Sequence, residues 1–320
     1  MNIGELQNSG LEFSVYGTLV DTKDWHLDLR GNISFNKNKV TKLNDGVDYI
    51  QHSNWDNGSM YLRSYVGQSM GDFYALAPAK NEKGEYIIGS NGLYKLTDDW
   101  VKVGNAMPKA TGGFAASLGY KNFFVDASLD FRIGGDVFNM PYQYMMGRGA
   151  LEETLWAHDG EGKGLTYYLN SNMECVPYNG TVGPNGERIH DNGIILEGVD
   201  ENGNKNTKMI GADKLMNWTY NWGGYDPSDV TYYSHSSFSN DYVKLRELTI
   251  GYNFPKSITE KFHCKSLQLS VYGRNLFYFY KNLPIFDAEA TDGTSWVSQS
   301  WIGGSTATTR SFGFSLRASF

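Results

Sequence analysis

Three observations predict an all-β fold for this chain of 320 residues: the C-terminal portion of a large transmembrane β-barrel, about nine antiparallel strands with long extracellular loops. Apolar and polar side chains alternate strictly in segments of about ten residues, the length a tilted strand needs to cross a bilayer. The connections alternate between very short and very long, as in barrels with short periplasmic turns and long outer loops. No run approaches 18 consecutive apolar residues, so no transmembrane helix is available. A barrel strand shows hydrocarbon only at every second residue, so a mean hydropathy of -0.45 is compatible with a membrane.

The strands follow in chain order. In 11–19, Leu11, Phe13, Val15, Gly17 and Leu19 share one face. After a turn at 21–24, Trp25, Leu27, Leu29, Ile33 and Phe35 oppose His26, Asp28, Arg30, Asn32 and Ser34. Segments 59–67 and 72–80, around QSMG, alternate more weakly. The pattern returns in 112–120 and, past the turn Lys121-Asn122, in 123–133, where Phe123, Val125, Ala127, Leu129 and Phe131 oppose Asp126, Ser128, Asp130 and Arg132. In 241–254, Leu248, Ile250, Tyr252 and Phe254 alternate well, but Lys244 and Arg246 fall on their face, so both are expected beyond the apolar band. Leu267, Leu269 and Val271 mark the eighth strand, and 311–320 the ninth, with Phe312, Phe314, Leu316, Ala318 and Phe320 on one side.

Short turns are expected at 21–23, 68–71, 121–122 and 255–264, and long outer loops at 37–58, 81–110, 135–240 and 280–307. A compact soluble domain rarely carries a loop as long as 135–240. A β-sandwich would also alternate, but with shorter strands, similar loops at both ends and fewer inward charges. The strand length and loop asymmetry favour the barrel.

The net charge of -7 argues against a nucleic-acid partner. Cys175 and Cys264 are far apart, which indicates neither a disulfide framework nor a zinc site. GEGKGL (160–165) lacks the Ser or Thr of a phosphate loop, and the six histidines show no metal spacing. DENGNKN (200–206) begins like a calcium loop, yet Lys205 stands where the turn glycine belongs. No enzymatic activity and no cofactor are expected, a structural calcium in the outer loops being the one alternative.

Several phrases, in order, resemble SusC/RagA-type TonB-dependent transporters: NIGELQNSGLEFSV (2–15), GNISFNKNKV (31–40), VGQSMGDFYAL (66–76), GNAMPKATGGFAASLGYKNF (104–123), DFRIGGDVFN (130–139), VKLRELTIGYNFP (243–255) and VYGRNLFYF (271–279). The resemblance implies an outer-membrane barrel of about 22 strands with a plug in its lumen. It also implies import of nutrients, commonly oligosaccharides and sometimes peptides. Energy would come from the TonB complex acting on an N-terminal plug, and a SusD-like surface lipoprotein would serve as a lid. The terminal Phe320 is then the aromatic residue by which such barrels are recognised for assembly. Plug, TonB box and signal peptide are not recognisable, and Met1 falls just inside the NIGEL phrase. The whole of 1–320 is therefore expected to be a partial barrel from a longer gene, not a competent transporter alone, since open strand edges go unpaired in lipid.

Candidate site residues follow. Trp156, Trp218, Tyr220, Trp222, Tyr225, Trp296 and Trp301 lie in outer loops, where aromatic faces could stack on sugar rings; the plainer reading is loop packing. Asp28, Arg30, Asp126, Asp130 and Arg132 are expected to face the lumen. Trp25, Phe35, Tyr120, Phe123 and Phe320 read as interfacial girdle and assembly residues. A soluble β-rich carbohydrate-binding protein is the alternative from another class.

Overall fold

A computed structural model describes residues 4–55, 60–219 and 233–320 of the chain. Its largest unit is an antiparallel sheet of seven strands in sequential order. They are β1 (Gly4–Asp21), β2 (Trp25–Leu43), β3 (Pro108–Tyr120), β4 (Phe123–Gly134), β5 (Tyr242–Asn253), β6 (Ser266–Lys281) and β7 (Ser311–Ser319). Each strand pairs only with its neighbours in this order, which leaves β1 and β7 at the edges.

Alternation in sequence becomes two faces through register. One row across six strands reads Leu27, Leu118, Val125, Ile250, Val271, Phe314. The neighbouring row reads Thr18, Asp28, Ser117, Asp126, Thr249, Tyr272, Gly313. The apolar face is bare: Val271 is 56% and Phe314 77% exposed. Glycines seat the large rings of the wall. A Cβ on Gly251 would collide with the ring of Phe124, its cross-strand partner on β4.

The turns opposite the long loops are short, and each is locally fixed. Between β1 and β2, Thr22 Oγ1 accepts from the Trp25 N–H (3.0 Å). Between β3 and β4, Lys121 adopts φ +53°. After β5, a helical turn ends at His263 with φ 54°, and Lys265 reaches back to pin the chain end, its Nζ donating to the Phe320 carbonyl (2.9 Å).

The wall therefore holds seven of the nine expected strands. Segments 59–67 and 72–80 do contain strands, Met60–Tyr65 and Asp72–Ala75, but these pair with Tyr49–Trp55 and Val101–Asn105 in a separate four-stranded sheet. Their burial explains the difference. Met60, Leu62, Phe73, Ala75 and Asp72 are all at 0% exposure: Asp72–Ala75 is covered on both faces, and Met60–Tyr65 turns its apolar face, Met60 and Leu62, into a loop core instead of to an open medium. Removing two strands leaves the direction of β7 unchanged. The turn at 68–71 moves to the side of the long loops, inside a single connection between β2 and β3.

A second difference concerns phase. Leu245 pairs with Leu129 and Glu247 with Ser128, so Arg246 is an extra residue, a β-bulge in β5. The bulge inverts the faces on either side of it. Leu245 and Leu248 thus share the apolar face although three residues apart, and Lys244 opposes Asp130 on the polar face instead of lying beyond an apolar band.

The loops fold into structure of their own. Trp55, Met60, Leu62, Phe73, Ala75, Ala106 and Phe138 form one core. The strand Asp136–Asn139 pairs antiparallel with Ser237–Ser239 and parallel with Trp301–Ile302, joining the β4–β5 and β6–β7 connections. Region 135–240 also holds a sheet of Leu165–Leu169, Cys175–Pro177, Ile189–Ile194 and Ile210–Gly211, and the helices Met140–Gly147 and Ala212–Thr219.

Gly251→Val is expected to destabilise the wall by about 1–3 kcal/mol, since the Phe124 ring must leave its place. Gly17→Val is the control, because a Cβ there meets nothing within 4 Å. Urea unfolding in detergent micelles compares the two.

Candidate functional site

The polar face of the wall is the surface that gathers charged side chains. Tyr16, Asp28, Arg30, Ser117, Asp126 and Glu247 line a concavity of about 350 Å³ on it. Asp28 accepts from Thr18 Oγ1 (2.6 Å) and lies 2.9 Å from His26 Nε2. Asp126 accepts from the Ser117 hydroxyl, and Arg274 Nε donates to Glu247 Oε2 (3.0 Å). Arg30 makes no ion pair among the described residues and is exposed in the groove.

Towards the loops this face becomes buried, and sequence reading missed what happens there. Lys244 is 1% exposed. Its Nζ donates to Glu289 Oε2 (2.5 Å) and Thr308 Oγ1 (2.9 Å) and lies 3.9 Å from Asp287. The bulged Arg246 donates through Nη1 to Asn275 (2.9 Å) and Glu289 Oε2 (2.9 Å), and through Nη2 to Glu289 Oε1 (2.5 Å) and to Asp130. Two wall cations, Lys244 and the Arg246 that also pairs with the wall carboxylate Asp130, thereby hold two carboxylates of the β6–β7 connection against the sheet. Burial pushes the Asp287 carboxyl up, but donors from Thr308, Tyr278 and the Glu289 amide outweigh it and hold the group at about 2. Glu289 is likewise held below its ordinary value against burial, by Arg246 and Lys244. The signal for this cluster was present in the sequence as the three-residue spacing Leu245…Leu248, which only a bulge reconciles with one face.

Arg132 works differently. It donates to the carbonyls of Gly134 (3.1 Å), Ala106 (3.3 Å) and Gly135 (3.4 Å), tying the end of β4 to the chain that enters β3. All five charged residues expected on one face, Asp28, Arg30, Asp126, Asp130 and Arg132, do share it by register.

The loop aromatics separate. Trp301 packs on the Trp55 core, with ring centroids 6.1 Å apart, and Trp296 contacts the same core and His52 at 4.7 Å. Trp156 packs against Ala157, Ala212 and Met216, and Trp218 lies 6.5 Å from Tyr94. Tyr220, Trp222 and Tyr225 lie outside the described residues. On the apolar face, Trp25, Tyr120, Phe123 and Tyr252 form one row across four strands, with Trp25–Tyr120 at 4.3 Å and Phe123–Tyr252 at 4.6 Å. Phe35 stands at the other end of that face between Leu11 and Ala110, and Phe320 is 79% exposed.

The calcium-like phrase at 200–206 is a hairpin tip. Asp200 Oδ1 accepts from the backbone N–H of Asn202 (2.9 Å) and Asn204 (2.8 Å). Asn81 and Asn170 make the same turn in NEKGE and NSNME. Among the described residues, no group of three His, Cys, Asp or Glu side chains could hold a metal ion.

No family model matches the chain. Over 311 residues it is 26% identical to TonB-dependent receptor P3 of Formosa agariphila, a match covering 90% of this chain and 26% of that protein. Over 144 residues it is 31% identical to TonB-dependent receptor SusC of Bacteroides thetaiotaomicron, covering 40% of this chain and 14% of SusC. The chain thus spans about a quarter or less of the curated relatives it matches. Among solved structures, the RagAB peptide importer in its open-open state superposes with a TM-score of 0.55 at 16% identity, over 99% of this chain and 29% of that one. The RagAB peptide transporter gives 0.51 at 18% identity, over 88% and 27%. These likenesses concern the fold.

Two outcomes follow for the charged cluster. Arg246→Met leaves Asp130 and Glu289 facing each other without their shared cation, and cleavage within 282–310 by a protease should accelerate on the order of tenfold. The depressed Asp287 group contributes stability that is complete above its unfolded pKa, roughly 3.9, and is lost as pH falls through about 2. Amide exchange at Glu289 and Thr308 should therefore stay slow at neutral pH and rise only across that acid window.

Proposed function

We propose a transport function, and its premise is that this chain is β-barrel sequence of the SusC/RagA-type TonB-dependent receptors. The reading is import of nutrients across the outer membrane, with the apolar face of β1–β7 against lipid and the polar face lining a wet lumen. The observation that carries it is the pair of adjacent rows, one wholly apolar and one polar, running unbroken through every strand pairing from β2 to β7. A soluble sandwich would cover its apolar row with a second sheet; here Leu118, Ile250, Val271 and Phe314 of that row are exposed.

The substrate class we propose is oligosaccharide, captured by outer-loop aromatics that include Trp156, Trp218, Tyr220, Trp222 and Tyr225, beneath a SusD-like lipoprotein. Trp296 and Trp301, packed on the loop core, would act with them as the framework of the mouth. Passage would require the TonB complex acting on a plug domain inside the barrel. The chain's own charges, Asp28, Arg30 and Asp126, offer hydrogen bonds and ions to a polar solute along the concavity. Peptide import is the second reading, because the solved structures of similar fold are named a peptide importer. No step of this reading is catalytic.

The gene that encodes this chain, expressed from its native locus, tests the proposal. Its product should sediment with outer membranes, require detergent for release, and support TonB-dependent uptake of oligosaccharides. A product soluble without detergent would contradict the transport reading and favour a carbohydrate-binding protein. Membrane location with uptake of peptides alone would select the second reading.

A further inference from the structure

β1 and β2 are 18 and 19 residues long, well beyond the 9–11 a bilayer crossing requires, and the excess lies towards the long loops. Phase shows which way that extension faces. Asn38 and Val40 are buried under the 67–70 turn, with Asn38 Oδ1 accepting from the Met70 N–H (2.6 Å) and Val40 N donating to the Gln68 carbonyl (2.9 Å). Lys37 and Lys39 therefore point to the apolar face, on the same side as Phe35 and directly above it.

Lys109 joins them. It is the extra residue in β3, between Pro108 opposite Gly134 and Ala110 opposite Ile133. Together with Leu11, Phe35 and Lys37 it lines a groove of about 620 Å³. Lys37 and Lys109 are exposed, and neither makes an ion pair among the described residues. The carboxylate whose charge Lys109 feels is Asp136, and one oxygen of Asp136 is already taken by the Asn105 N–H (2.7 Å).

The groove thus has a floor of Leu11 and Phe35 and a cationic edge of Lys37 and Lys109, with Lys39 higher on the same strand. We propose that it holds a phosphorylated acyl lipid of the outer leaflet, its acyl chain on the apolar floor and its phosphate between the lysines. This rests on the barrel reading above, which sets the apolar face in the membrane. A free phosphate would have no use for the floor, and a neutral lipid none for the lysines; the combination selects an anionic amphiphile.

The test uses the full receptor, purified in neutral detergent and incubated with bis-phosphorylated lipid A, with the same lipid after phosphatase treatment, or with inorganic phosphate, and read by native mass spectrometry. The phosphorylated lipid should be retained through delipidation, and its retention should fall with added salt. Each lysine near a charged surface contributes roughly fivefold, so Lys37→Gln with Lys109→Gln should lower binding about 30-fold. Lys37→Arg with Lys109→Arg should preserve it, and heat-modifiable migration reports that both variants fold. Equal retention of the dephosphorylated lipid, retention of inorganic phosphate alone as strong as that of the lipid, or an unchanged glutamine variant would overturn the proposal. A receptor that never enters a membrane would instead overturn the barrel premise.

Discussion

A strand that meets hydrocarbon on one side and water on the other has a period of two residues, and everything in this wall depends on keeping it. The hydrogen-bonded ladder satisfies the backbone internally, which a lipid-facing segment requires. Register then carries the alternation from one strand to the next, so that six strands contribute to a single apolar row and seven to a single polar one. Any one-residue slip would put Asp28, Asp126 and Asp130 into the apolar layer. The ladder and the pattern of the sequence therefore enforce each other.

The one place in mid-wall where β5 departs from this rule is used. At Arg246 the chain gains a residue, and the guanidinium at the bulge reaches Asp130 on its own sheet and Glu289 on the β6–β7 connection. The same phase change turns Lys244 inward, where burial leaves its ammonium dependent on Glu289 and Thr308. A register irregularity thus becomes an anchor, and the connection it holds covers Lys244 at the loop end of the polar face. A bulge that re-aims a side chain in this way behaves as a designed feature of a sheet.

The wall was legible in the sequence because its two faces differ in chemistry: Trp25 to Phe35 and Val125 to Ile133 alternate without an error. The loop units were not, and the reason is physical. Phe73 lies in a four-residue strand buried on both sides, so no period of two is imposed there, and Met60–Tyr65 alternates over only six residues, with Met60 and Leu62 turned into a loop core. The pairing of Asp136–Asn139 with Trp301–Ile302 joins residues over 160 positions apart, beyond any local pattern. Of the candidate site residues, the shared face of Asp28, Arg30, Asp126, Asp130 and Arg132 was readable from alternation alone. Lys244, Arg246, Asp287 and Glu289 were not, because the bulge hides the first two behind the wrong phase and tertiary contact alone brings in the others.

The claim beneath all of this is that the two faces of β3 and β4 meet different media. Spin labels placed singly at 114–118, in a chain whose Cys175 and Cys264 are replaced by alanine, measure it in reconstituted bilayers. Labels at Phe114, Ala116 and Leu118 should be accessible to oxygen and shielded from a water-soluble relaxant, while those at Ala115 and Ser117 show the reverse. Equal access of the water-soluble agent to both sets would mean that the apolar face is not in lipid, and the account would fail.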